Sequence, residues 1–147
     1  MQALARHLLL ELFDCDAEVI NSLGVVKMSM IEAARRAQGT IVNAVFHEFN
    51  PFGISGVVVI AASHLAIHTW PEYRYAAVDL FSCGDALRPQ VGADYLVQQL
   101  GATRASVVEL QRGILMNTGV VRPVPVPTWR PAQQWAGLRP GHRAAFR

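Results

Sequence analysis

Apolar positions fall into blocks whose period switches between strand-like and helix-like as the chain is followed from its start. Ala3 to Phe13 is an apolar run with His7 and Glu11 embedded in it, closed by the turn-like Asp14-Cys15-Asp16, and predicts a strand. From Ala17 to Gln38 the residues Leu23, Val26, Met30, Ala33 and Ala37 recur at helical spacing, with Gly39 as a stop and a break near Gly24. Thr40 to Phe49, rich in β-branched and aromatic residues, predicts a second strand that ends at Asn50-Pro51 and a loop through Gly53.

Three strand-like runs follow in quick succession: Ser55 to Ala62, Leu65 to Trp70 and Tyr75 to Ser82. Pro89 to Leu100 predicts another helix, with Pro in its first turn, and Thr103 to Gln111 a sixth strand. Such short turns between the middle strands fit antiparallel hairpins better than parallel crossovers. The expected fold class is α+β, a two-layer sandwich of a mainly antiparallel sheet with helices packed on one face.

Length and charge then narrow the function. A chain of 147 residues, 52% hydrophobic, can bury one core and is short for two. Residues 1–119 carry 8 basic and 11 acidic side chains, whereas 120–147 carry 5 Arg and no carboxylate. The expected organisation is therefore one domain over 1–119 and a Pro- and Arg-rich, poorly ordered tail over 120–147. A mildly acidic domain does not suit a nucleic-acid binder. Neither a membrane-length apolar run nor a signal segment is visible, so the chain is expected in the cytoplasm, with Cys15 and Cys83 as thiols.

Reactive side chains concentrate between Phe46 and Cys83, inside apolar strands where polar groups need a partner or a purpose. His64 and His68 have a spacing that chelates zinc on a helix, but in a strand four residues span roughly 13 Å, so no shared metal is expected. Ser63 follows Ala61-Ala62 without the Gly-x-Ser-x-Gly elbow of a serine hydrolase.

The block Ser63-His64-Leu65-Ala66-Ile67-His68-Thr69-Trp70-Pro71-Glu72 lies between Phe52-Gly53-Ile54-Ser55-Gly56-Val57-Val58-Val59-Ile60 and Tyr75-Ala76-Ala77-Val78-Asp79-Leu80-Phe81-Ser82-Cys83-Gly84. Together these resemble the signature of prokaryotic S-adenosylmethionine decarboxylase, a likeness that runs from Arg6 to about Gly113. It implies a self-processing chain cleaved between Ala62 and Ser63 into a β chain, 1–62, and an α chain from 63, with residue 63 converted to a pyruvoyl cofactor.

By the same resemblance, Ser55 and His68 assist processing, and Cys83 donates the proton that the decarboxylated carbon takes up. Phe49 would stack on the adenine, Glu72 accept hydrogen bonds from the ribose, and Glu11 lie near the sulfonium of S-adenosylmethionine. The product would serve spermidine biosynthesis.

Two departures stand out. The family usually has Glu before the processed serine, where this chain has Ala62, and tends to have Gly where Arg74 stands. These leave open the same pyruvoyl chemistry turned to arginine or ornithine, or a non-processing regulatory homologue. Ser63 and His68 are five residues apart in an extended segment, about 16 Å along it and on opposite faces. One chain can hardly bring both to one carbonyl. A homodimer with shared sites is therefore expected, Ser63 and Cys83 of one chain facing Ser55, His68, Phe49 and Glu72 of the other.

Overall fold

The computed structural model describes residues 2–115; the expectation of a poorly ordered tail over 120–147 lies outside them. Strand β1 (Gln2–Phe13) leads to the short helix α1 (Ala17–Ile20) and the longer α2 (Leu23–Arg36). Then come β2 (Ile41–Glu48), β3 (Ile54–Ile60), β4 (Ser63–Trp70), a 3₁₀ turn over Pro71–Tyr73 and β5 (Tyr75–Cys83). Helix α3 (Pro89–Gln99) and β6 (Arg104–Leu115) complete the described chain. The six strands form one sheet in the order β2-β3-β4-β5-β1-β6, with every neighbouring pair antiparallel.

The helical break falls at Asn21-Ser22, two residues before Gly24. Asp16 caps α1 by accepting from the amides of Glu18 and Val19, and Ser22 caps α2 by accepting from the Val25 amide. Each cap satisfies donors that a helix start leaves free, so one continuous helical period becomes two helices. Gly24 consequently lies within the first turn of α2.

Alternation decides what each strand buries. Leu8, Leu10 and Leu12 of β1 stand in register with Leu80, Val78 and Ala76 of β5, which pair in turn with Leu65, Ile67 and Thr69 of β4. This face meets Val26, Met30, Ala33, Ala93 and Leu96 of α2 and α3 in a single apolar core. Burying one such leucine contributes about 1.5–3 kcal/mol before conformational entropy is counted. At Gly92 of α3 an added Cβ would sit 2.9 Å from the Ala33 carbonyl oxygen, so a glycine lets α2 and α3 approach this closely.

Among the described residues no helix lies on the other face of the sheet. It presents Leu9, Val45, Val57, Val59, Val108 and Leu110, exposed or half-buried, interleaved with histidines and carboxylates. None of the described helices is long and apolar enough to cross a membrane.

Candidate active site

Strand register arranges the open face in rows running across the sheet. One row reads His47, Ser55, His68, Ala77, Glu11 and Ser106 from β2 to β6. The next is apolar apart from Asp79, and the one beyond it holds His64, Phe81 and His7. Rows lie about 6.6 Å apart, two residues along a strand.

In the first row the Ser55 hydroxyl is 2.7 Å from His68 Nδ1, the distance of a working hydrogen bond. His47 pairs with Ser55 from the other side and sets its ring edge-on to Phe49, centroids 4.6 Å apart. Sequence pattern gave His47 no role; only the pairing of β2 with β3 brings it beside Ser55. Phe49, just past β2, is exposed, and its amide donates to the Gly53 carbonyl at 2.8 Å, closing the loop behind it.

Glu11 accepts a short hydrogen bond from the Tyr75 hydroxyl. Burial, and then this bond, push the phenol up to about 12. It stays a neutral donor at physiological pH. Trp70 and Phe13 flank Tyr75 at centroid distances of 5.3 and 5.5 Å, so the carboxylate sits among aromatic rings, surroundings that suit a soft cation. Neither Tyr75 nor Trp70 was nominated from sequence, since their meeting with Glu11 depends on β5 lying between β1 and β4.

Ser63 lies at the opposite end of β4. It pairs with Ile60 and Ser82, whereas His68 pairs with Ser55 and Ala77, and the parity of the register puts Ser63 and His68 on opposite faces. The structure therefore joins Ser55 to His68 and leaves Ser63 apart from both. Near Ser63 is Cys83: its backbone amide donates to the Ser63 hydroxyl at 3.3 Å, and its thiol is free and exposed. The hydroxyl of Ser82, directly across from Ser63, is buried without a partner among the described residues.

The Ala62-Ser63 bond sits in the tight connection between β3 and β4. Ile60 and Ser63 are paired, so Ala61 and Ala62 alone make the turn, both exposed. Ala62 adopts φ +61°, a left-handed conformation that costs a non-glycine residue about 1–2 kcal/mol. The exposed peptide bond thus follows a strained residue.

Arg74 also has a positive φ, +51°, which explains why glycine suits this position. Its guanidinium turns to the β1–α1 loop, donating from Nε to the Cys15 carbonyl at 2.8 Å and from Nη2 to the Asp14 carbonyl at 3.3 Å. Glu72, exposed on the 3₁₀ turn, lines a cavity of about 490 Å³ with Phe52 and α1.

Beyond the apolar row, the His64 and Phe81 rings stack at 5.5 Å, and Arg112 Nη1 reaches His7 Nδ1 at 3.0 Å. Burial lowers the His7 pKa, with Arg112 and His64 adding to that effect against Asp79. A neutral ring can then accept from Arg112 through Nδ1.

The model of the S-adenosylmethionine decarboxylase family matches residues 6–113. The chain belongs to the S-adenosylmethionine decarboxylase family. Within this family it is 52% identical over 117 residues to the S-adenosylmethionine decarboxylase proenzyme of Thermodesulfovibrio yellowstonii, covering 80% of this chain and 87% of that one. A proenzyme of the same description from Acidithiobacillus ferrooxidans is 46% identical over 82% of this chain and 90% of its own. The crystal structure of the adenosylmethionine decarboxylase of Aquifex aeolicus superposes with a TM-score of 0.75 at 32% identity, covering 81% of this chain and 98% of that one. The chain thus shares the fold of that adenosylmethionine decarboxylase.

Proposed function

We propose that this chain is a self-processing, pyruvoyl-dependent carboxy-lyase of the cytoplasm that converts S-adenosylmethionine to its decarboxylated form and CO2 for spermidine biosynthesis. The observation that carries the reading is the division of the open-faced sheet. A hydrogen-bonded Ser55–His68 pair and Glu11 stand near one end, and Ser63 with Cys83 at the other.

Processing uses the chain's own atoms. The Ser63 hydroxyl attacks the Ala62 carbonyl carbon, the amide C–N bond breaks as the C–O bond forms, and an ester results. Removal of the Ser63 Cα proton expels the Ala62 carboxylate from Cβ, and hydrolysis of the resulting enamine releases ammonia. The products are a β chain of residues 1–62 and an α chain from 63. Strain at Ala62, relieved when the turn opens, favours cleavage, and the Cys83 amide holds the Ser63 oxygen. The chemistry needs a backbone carbonyl and no carboxylate from residue 62.

A pyruvoyl group at residue 63 would supply an electron-withdrawing carbonyl as the sink for the electrons of the breaking C–C bond. Everything else falls to side chains. Phe49 offers its exposed ring to the adenine, and Glu72 accepts from the ribose hydroxyls. Glu11, held by Tyr75, faces the sulfonium. Cys83, on the strand next to Ser63, delivers the proton that replaces CO2. His68, bonded through Nδ1 to Ser55, relays protons during processing.

Because Ser63 and His68 are separated along β4, the complete site is shared. Two copies pack their open faces about a two-fold axis; the Ser63 side chain lies on the helix-covered face, but the Ala62-Ser63 peptide in the exposed β3–β4 turn, with Cys83, lies at the sheet end that meets Ser55, His68, Phe49 and Glu72 of the other. The apolar row between the two ends supplies the surface that such packing buries.

Intact-mass analysis of the purified protein, joined to CO2 release from S-adenosylmethionine, arginine and ornithine in parallel, tests the proposal. Two chains split at Ala62-Ser63 and release from S-adenosylmethionine alone are expected. A chain that stays whole after long incubation, or release from one of the amino acids, would refute it.

A further inference from the structure

The two loops assigned to the adenosyl group are both tied to the same four-residue helix. On one side of α1, its C-cap residue Asn21 accepts through Oδ1 from the Gly53 amide at 3.1 Å, and the Gly53 carbonyl accepts from the Phe49 amide at 2.8 Å. Phe49 is thus two hydrogen bonds from α1. On the other side, Arg74 closes the 3₁₀ turn by donating its amide to the Pro71 carbonyl at 3.0 Å, and its carbonyl accepts from the Cys15 amide at 2.9 Å. Its guanidinium then grips the carbonyls of Cys15 and Asp14, the residues just before the α1 cap. Between these two tethers lies the cavity of about 490 Å³, bounded by Ala17, Glu18 and Asn21 of the α1 segment and by Phe52 and Glu72.

Either tether alone could be ordinary loop packing. Their convergence on one short helix, with a cavity between them, has a consequence for binding. A ligand that bridges the Phe49 and Glu72 loops is sensitive to the spacing between them, and α1 sets that spacing. A guanidinium forking over two carbonyls holds its geometry better than a single bond would. Arginine is also strained at φ +51° where glycine is not, so the residue that strains this backbone is the one that supplies the grip.

We propose that Arg74 and Asn21 are positioning residues for the adenosyl group, each fixing against α1 one of the two loops that carry Glu72 and Phe49. The inference rests on the reading that these two side chains contact the substrate.

The test compares Arg74→Gly, Arg74→Lys and Asn21→Ala in the full self-processed protein, with Phe49→Ala and Glu72→Gln beside them. Arg74→Gly removes the grip while relieving the left-handed backbone, so a loss of binding in it does not come from new strain. KM for S-adenosylmethionine should rise about fivefold or more in Arg74→Gly and Asn21→Ala, while turnover at saturation and the extent of cleavage stay within about twofold. Arg74→Lys should recover part of the loss, since an ammonium still reaches one carbonyl. A lowered melting temperature with unchanged KM would assign the tethers to stability and overturn the inference. If Phe49→Ala and Glu72→Gln raise KM but the tether variants do not, the substrate reading stands and this inference falls. If those two controls leave KM unchanged, both fall.

Discussion

Separation along β4 gives the sharing of sites a quantitative test. Ser63 and His68 lie about 16 Å apart along the strand and on opposite faces, against a proton-transfer reach of about 3 Å. No rotamer change closes that gap. The perturbation is a pair of inactivating variants, Ser63→Ala and His68→Ala, co-expressed with tags of different mass. In a mixed dimer the His68→Ala chain keeps its own Ser63 and faces the intact Ser55 and His68 of the other variant, so one complete site survives.

Random assortment puts about half of the chains in mixed dimers, so about half of the Ser63-bearing chains should be cleaved and none of the Ser63→Ala chains. In mixed dimers isolated through both tags every Ser63-bearing chain should be cleaved and every Ser63→Ala chain whole, read on a denaturing gel and by intact mass, with CO2 release near half that of the unaltered dimer. Each variant expressed alone should stay whole. Uncleaved chains in confirmed mixed dimers, or a monomer that cleaves and turns over by itself, would refute the geometric reasoning.

Two further outcomes follow from packing and from titration. Gly92→Ala gains about 1 kcal/mol of helix propensity but forces apart two backbones that meet where its Cβ would lie 2.9 Å from the Ala33 oxygen. Overpacking of that kind costs about 1–3 kcal/mol, so denaturant unfolding should show a net loss, and a stabilised variant would contradict the close approach of α2 and α3. Tyr75, pushed up to about 12, should ionise well above an ordinary phenol in a near-UV absorbance titration, and Glu11→Gln should bring it down. The unfolded phenol loses its proton near pH 10 and the folded one near 12, so the stability Tyr75 contributes is complete below about pH 10 and lost as pH rises through that window. A Tyr75 that titrates as an ordinary phenol would remove its bond to Glu11.

Much of this protein was legible in one dimension. Apolar and β-branched runs bounded by turn residues gave each strand to within a few residues, because such runs mark chain that must leave water. Six runs with short middle turns implied an antiparallel sheet, and the blocks around Ser63 carried the family likeness. Even the distance between Ser63 and His68 was available, since an extended chain has a fixed rise and fixed parity.

The helical break near Gly24 was legible, but its exact place two residues earlier was not, because that depends on which side chain reaches a free amide, and Ser22 supplies the cap. In the sequence Arg74 stood out only as a departure from the family's glycine. The structure turns it toward Asp14 and Cys15, a contact across about sixty positions of chain that no local pattern encodes. His47 and Tyr75 joined the site for the same reason. Sequence period determines which face a residue occupies, but its neighbours on that face follow from strand order and register, and only the folded sheet sets those.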